Sequence, residues 1–297
     1  MQIKKVGVIG CGLMGHGIAQ VAAEGGHDVV VVEADARALE AGLARIDKSL
    51  KKLAQKQVEK GKLDADQAEK AAAATRQRIT GSLERRSVAG CDLVVEAIVE
   101  DLDAKKALFR ELSSLTRREA ILASNTSSFP ISEMGQASGR PQQMVGLHFF
   151  NPVQLMRLVE VVRTPQTSDE TFAAARAFGE ACGKTPIACK DTPGFVVNRL
   201  LVPFMVQALQ MLERGDASAA DIDTGMKLGC GHPMGPIELT DYVGLDTTLA
   251  ILKGWVERYP DEPAFAVPAV LEEKVGQGKL GRKSGEGFYK WEGDKRL

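Results

Sequence analysis

Two side chains in this sequence are of the types, and at the spacing, that proton transfer needs. His148 closes the apolar run Met144–Leu147, and twelve residues later Glu160 is the one carboxylate inside Leu158-Val159-Glu160-Val161-Val162. Runs of that composition are buried, and a buried carboxylate is costly without a partner, so Glu160 should have one. If the two strands return past one another about a loop centred near Gln154, His148 and Glu160 face each other. A neutral imidazole titrates near working pH and can accept the proton of an alcohol. A carboxylate on its other ring nitrogen fixes the tautomer and stabilises the imidazolium. A buried ion pair with no catalytic duty fits the same spacing. The other histidines are His16 in the first turn of a helix, His27 in a turn before a strand, and His232 in the loop Gly231-His232-Pro233, where structural roles account for them.

An alcohol proton is removed to some purpose only if something takes the electrons. Gly10-Cys11-Gly12-Leu13-Met14-Gly15 follows an apolar strand directly and opens a helix from His16 to Ala23. In that arrangement the first glycine allows the turn, the second admits a pyrophosphate to the backbone and the third lets helix pack on strand. The phosphates then rest on the free amides and positive end of the helix. Glu33 ends the second strand, Asp28–Val32, eighteen positions beyond Gly15. A carboxylate there accepts hydrogen bonds from ribose hydroxyls and repels a 2′-phosphate, and the nearest arginine, Arg37, is four residues on. The expected cofactor is therefore NAD rather than NADP, although a methyl-donor cofactor can use a similar glycine turn.

These residues need a scaffold. Apolar runs recur at Val6–Ile9, Val29–Val32, Leu93–Val95, Ile121–Ala123, Met144–Leu147 and Leu158–Val162, with helix-period segments between them. Nearly continuous runs suit strands buried on both faces, which predicts an α/β domain with a Rossmann-like, mostly parallel sheet over residues 1–189. Ser124-Asn125-Thr126-Ser127-Ser128 follows one of these strands at the carboxyl edge, where such sheets bind ligands. Beyond Asp191-Thr192-Pro193-Gly194 no convincing strand is read, and residues 190–297 are expected to form an all-helical domain. Its helices are read at about Val196–Arg214, Ala219–Leu228, Pro236–Tyr259 and Pro268–Val275. Asn198, early in the first of them, could face back into the cleft.

Residues 36–75 are long for a crossover. Leu39, Leu43, Ile46, Leu50 and Leu53 make one narrow apolar stripe, and Gly61 interrupts before a second helical stretch, so a projecting helical hairpin is expected. From Arg45 to Lys62 seven basic residues stand against two acidic ones. A solvated helix face and a docking surface for a phosphorylated ligand both fit that run.

The whole chain, of 297 residues with 38 basic and 39 acidic side chains, carries a formal charge of −1, which excludes whole-molecule attraction to nucleic acid or anionic lipid. No run of about 18 apolar residues is present, so no membrane span is expected. With a strand read from Ile3 to Ile9, no signal or transit peptide is expected. Five scattered cysteines argue against a disulfide framework and a zinc site and point to a reducing cytoplasm.

Taken in order, Gly-Cys-Gly-Leu-Met-Gly, Val-Val-Glu-Ala-Ile-Val-Glu, Ser-Asn-Thr-Ser-Ser, His-Phe-Phe-Asn-Pro, Leu-Val-Glu-Val-Val, Asp-Thr-Pro-Gly-Phe-Val-Val-Asn-Arg and Gly-Glu-Gly-Phe-Tyr run through essentially the whole chain. The sequence closely resembles the 3-hydroxyacyl-CoA dehydrogenases, including the bacterial 3-hydroxybutyryl-CoA dehydrogenases. That resemblance implies oxidation of an (S)-3-hydroxyacyl-CoA with NAD, or the reverse reduction. Acyl length is not legible in the residues; a short-chain substrate, 3-hydroxybutyryl-CoA, is the expectation. It implies His148 as catalytic base, Glu160 as its partner, Ser127 on the reacting oxygen and against the nicotinamide, and Asn198 orienting the acyl group. Beside Gly10, Gly12, Leu13, Met14 and Gly15, it implies cofactor contacts at Glu33, Glu100, Lys105, Ser127, Asn151 and Lys283. Ser49 and Lys56 match positions that touch coenzyme A, and a homodimer through the helical domain is implied. In 297 residues no fused hydratase domain is expected. Two other readings remain open here: a β-hydroxyacid dehydrogenase acting on free acids through a lysine, and an NAD-binding protein without catalysis.

Overall fold

The computed structural model describes residues 2–297, which divide into two compact units, one ending at Phe195 and one spanning Val196–Leu297. In the first unit the order is β1 (Lys5–Ile9), α1 (Gly15–Glu24), β2 (Asp28–Val32), α2 (Ala36–Glu59), α3 (Ala65–Gln77), β3 (Ile79–Ser82), β4 (Leu93–Glu96), α4 (Leu102–Leu115), β5 (Ile121–Ser124), α5 (Ile131–Ser138), β6 (Met144–Phe149), β7 (Leu158–Arg163), α6 (Asp169–Ala181) and β8 (Thr185–Lys190). The eight strands form one sheet in the order β3-β2-β1-β4-β5-β6-β7-β8. All neighbours run parallel except β6 and β7.

The valine-rich runs are buried because helices cover both faces. Val6, Val8, Val29, Val31 and Val95 pack with Ile18 and Val21 of α1, Ile46 of α2 and Phe178 of α6. The alternate residues Val30, Val32, Val94 and Leu122 pack with Leu108, Phe109 and Leu112 of α4 and Met134 of α5. Each fully buried Leu, Ile or Phe contributes about 1.5–3 kcal/mol of transfer free energy.

Strand order reverses between β1 and β4, and the residues at that edge are level with one another. Ile9 pairs with Glu96, Glu96 with Ser124, and Ser124 with Gly146. The glycine turn, the segment after Glu96, the serine-rich loop and His148 therefore leave the sheet side by side.

Two strands lie outside the apolar runs read from the sequence. β3 is four residues with Gly81 in the middle, and an added Cβ there would press on Leu39 and Leu43 of α2. β8 is a half-exposed edge strand carrying Pro186, tolerated because one side of an edge strand needs no partner.

The second unit holds α7 (Val197–Glu213), α8 (Ala219–Cys230), α9 (Pro236–Val243), α10 (Leu245–Arg258) and α11 (Ala269–Gly276) around Val206, Leu209, Ile237, Leu252 and Trp255. The single helix expected over Pro236–Tyr259 is two, broken at Gly244, whose φ of 105° is outside the helical region. A short hairpin of β9 (Trp291–Glu292) and β10 (Lys295–Arg296) follows, where no strand was read. Its two-residue strands are set by Asp241, which accepts from the amides of Phe288 and Tyr289 and from Trp291 Nε1.

Candidate active site

His148 and Glu160 are directly opposite in the β6–β7 ladder. The His148 Nδ1 lies 2.6 Å from Glu160 Oε2, in a buried setting where the glutamate is 0% exposed. A carboxylate has no proton to give, so Nδ1 carries the hydrogen and donates it, leaving Nε2 as the acceptor nitrogen. The ring is walled by Phe150, at 4.4 Å between centroids, and Phe195, at 5.7 Å. Phe195 has φ 54°, the one non-glycine residue with positive φ among those described.

The serine-rich loop is tied to this pair through Asn125. Its Oδ1 accepts from the amide of Phe149, next to His148, at 2.9 Å, while its own amide donates to the Glu96 carbonyl at 2.9 Å. Ser127, partly exposed, donates its amide to Glu100 Oε1 at 3.2 Å. The same oxygen accepts from the hydroxyls of Thr126 and Ser128. The loop thus hangs from one carboxylate.

Lys105 is 1% exposed, and its ammonium lies beneath that carboxylate, 2.6 Å from Glu96 and 3.1 Å from Glu100. It meets other side chains of the sheet edge rather than open space. Glu96, Ser124 and Asn125 lie inside segments quoted from the sequence, but nothing there gives any of them an individual role. The usable signal was the cost of burying Glu96 in an apolar strand, the same argument that flags Glu160.

The glycine turn is a cradle in the geometric sense. Gly10 has φ 98°, and an added Cβ would lie 2.5 Å from the Ala97 carbonyl. At Gly15 a Cβ would lie 1.9 Å from the Gly10 carbonyl, so α1 can start there only without a side chain. At Gly12 nothing stands within 4 Å, and the backbone is open to an approaching group. Leu13 is exposed and Met14 half-buried above α1, whose first turn contains no acidic residue. Glu33 accepts from the Cys11 amide at 2.8 Å and the Ala34 amide at 2.8 Å, which locks its carboxylate beside the turn. An open backbone, a helix amino end and a fixed carboxylate fit a dinucleotide. Burial and the Glu33 charge push the Cys11 thiol up to about 11, which keeps it an inert packing group.

Asn151 is exposed at the start of the β6–β7 loop. That loop packs on α1 through Val153 against Gly17, and Lys184 donates to its carbonyls at Val153 and Met156. On α2, Ser49 and Lys56 are seven residues apart and share a face with Arg45, Lys52 and Lys60, about half a turn from Leu50, Ala54 and Val58. The latter line a crevice of about 740 Å³ against α3. Asn198 and Lys283 belong to the second unit, Asn198 as the second residue of α7 and Lys283 in a short helical turn paired with Asp246 at 2.6 Å. His27 packs on Phe178, and His232 edge-on against Phe204.

Compared with known families, residues 5–192 match the 3-hydroxyacyl-CoA dehydrogenase NAD binding domain and residues 194–291 the 3-hydroxyacyl-CoA dehydrogenase C-terminal domain. The chain belongs to the 3-hydroxyacyl-CoA dehydrogenase family. It is an oxidoreductase of that family, and its similarity to relatives is end to end. It is 51% identical over 97% of its length to the mitochondrial hydroxyacyl-coenzyme A dehydrogenase of Rattus norvegicus, covering 91% of that protein. It is 42% identical to the 3-hydroxybutyryl-CoA dehydrogenase of Bradyrhizobium diazoefficiens, covering 99% of this chain and 97% of that one. The crystal structure of (S)-3-hydroxybutyryl-CoA dehydrogenase from Ralstonia eutropha superposes with a TM-score of 0.91 at 40% identity, covering 98% of this chain and 100% of that one.

Proposed function

We propose that the protein oxidises (S)-3-hydroxyacyl-CoA thioesters with NAD and runs the reverse reduction, with 3-hydroxybutyryl-CoA as the preferred substrate. The observation that carries this reading is the His148–Glu160 pair, in register across β6 and β7 and 2.6 Å apart, with β6 beside the strand that leads into the Ser127 loop. NAD bound on the glycine turn supplies the acceptor for the hydride that leaves the carbinol carbon. The Gly10–Gly15 turn and the start of α1 hold its phosphates, and Glu33 holds a ribose. His148 Nε2 takes the hydroxyl proton in oxidation and returns it in reduction. Glu160 keeps Nδ1 protonated and balances the positive charge on the ring, which a buried setting would otherwise penalise. Ser127 donates to the reacting oxygen, and Glu100, Lys105, Asn151 and Lys283 complete the cofactor's surroundings. Asn198 orients the acyl group. The stripe of Arg45, Ser49, Lys52, Lys56 and Lys60 offers cationic point charges to the phosphates of coenzyme A.

A lysine-based route on free acids would need a lysine at the sheet edge able to take a proton. Lys105 is instead held between two carboxylates. The same proposal includes a homodimer through the second unit, where Leu200 and Leu228 are exposed, and a reducing cytoplasm, in keeping with five free cysteines. NADH consumption with 3-oxoacyl-CoA thioesters from C4 to C16, with free acetoacetate and with NADPH as controls, tests the reading. Turnover is expected to be highest at C4 with NADH. Equal rates on free acetoacetate would remove coenzyme A from the account, and no turnover on any thioester would end it.

A further inference from the structure

Glu96 is 0% exposed at the end of β4, level with Ile9 in the strand that leads into the glycine turn. Its carboxylate is fully engaged. Oε1 accepts from the Ile98 amide at 2.8 Å and from Lys105 Nζ at 2.6 Å, and Oε2 accepts from Ser124 Oγ at 2.6 Å. The Lys105 ammonium reaches on to Glu100 Oε2 at 3.1 Å. Glu100 Oε1 in turn holds Thr126, Ser127 and Ser128.

Three formal charges, two negative and one positive, thus stand at the carboxyl ends of β4 and β5. In a sheet whose order reverses between β1 and β4, a dinucleotide lies across that point, with one half over β1 and β2 and the other over β4 and β5. The half on the β4–β5 side carries the redox ring when Glu33 takes the adenosine ribose. That ring is cationic when oxidised and neutral when reduced. A fixed charge of −1 beneath it binds the two forms unequally.

We propose that Glu96 is a positioning residue for the cofactor. It anchors Lys105 so that Glu100 keeps its grip on the Ser127 loop, and it sets the local charge at −1, which favours NAD+ over NADH. This rests on the NAD reading above.

The test measures dissociation constants of NADH by fluorescence and of NAD+ by competition, for the intact protein and for variants. Glu96→Gln keeps the shape and an oxygen for Lys105 but brings the local charge to zero. The ratio of the NADH to the NAD+ dissociation constant is expected to fall about fivefold. Adding Lys105→Met to Glu96→Gln restores the charge to −1, and the ratio is expected to return to within about twofold of the original. A merely structural role moves both constants together, so it predicts an unchanged ratio in the single variants and leaves nothing for the second substitution to restore. Glu100→Gln, at a half-exposed position, makes the same change of charge and should lower the ratio even if Glu96→Gln does not fold. An unchanged ratio in the single variants, or a double variant as low as Glu96→Gln, overturns the inference while leaving the NAD reading intact. Failure of the intact protein to bind NADH overturns both.

Discussion

At the scale of single residues, the proposed catalysis rests on where one proton sits. In that proposal His148 accepts at Nε2 because Glu160 holds the hydrogen on Nδ1, and the pairing itself is set by strand register rather than by a flexible loop. Glu160→Gln keeps the size but presents an amide that can donate to Nδ1 and invert the tautomer. Its kcat is expected to fall about a hundredfold or more, with the NADH dissociation constant unchanged. Steady-state kinetics beside fluorescence titration checks this, and a kcat within threefold of the original would show that the glutamate only fills space. Asn125 adds a constraint of a different kind, since it ties the backbone next to His148 to the loop that carries Ser127.

At the scale of elements, the glycine turn separates folding from binding. Gly15→Ala would drive a methyl into the Gly10 carbonyl, so it should cost several kcal/mol and lower Tm by roughly 10 °C or more. Gly12→Ala meets no atom within 4 Å, so Tm should move by no more than about 2 °C while NADH affinity drops about tenfold. Calorimetry with NADH titration distinguishes the two, and a large Tm loss at Gly12 would contradict the open cradle. The first strand has its own electrostatic anchor. Burial works against the Asp92 carboxylate, but the amides of Lys5 and Lys4 and the Arg117 guanidinium outweigh it and hold the acid below its usual range. Its contribution is therefore present at neutral pH and is lost as pH falls through the lowered value. Asp92→Asn should cost about 1 kcal/mol at pH 7, and its stability curve should meet that of the unsubstituted protein as pH drops below about 4. Parallel curves would contradict the assignment. Much of this layer was legible beforehand: valine runs, a glycine turn and one carboxylate in an apolar strand are strong local signals. β3 and β8 were not, because a four-residue strand around a glycine and a half-exposed edge carry no hydrophobic period. Nor was the break at Gly244, since a helix-period pattern continues through it. The Glu96–Lys105 contact was hidden for another reason: which carboxylate a buried lysine meets is decided by strand order, which spacing along the chain does not reveal.

At the scale of the whole molecule, a net charge of −1 coexists with a basic stripe on α2. From Lys51 to Asp64 no residue of the α2–α3 hairpin is buried, so its charges are spent on solvent or on a ligand rather than on the core. Lys56→Ala is expected to raise KM for acetoacetyl-CoA about threefold to tenfold and to leave KM for a CoA-free analogue unchanged. The gap should narrow as ionic strength rises from 0.01 to about 0.5 M, because exposed charges are screened over a shorter distance. Equal effects on both substrates would return the hairpin to a solvated face. The measurement that bears most directly on the account is turnover of His148→Gln with acetoacetyl-CoA and NADH, alongside its NADH affinity. A fall in kcat of about a thousandfold with unchanged NADH binding is expected. A rate within tenfold of the unsubstituted enzyme would contradict the assignment of His148 as the acid and base.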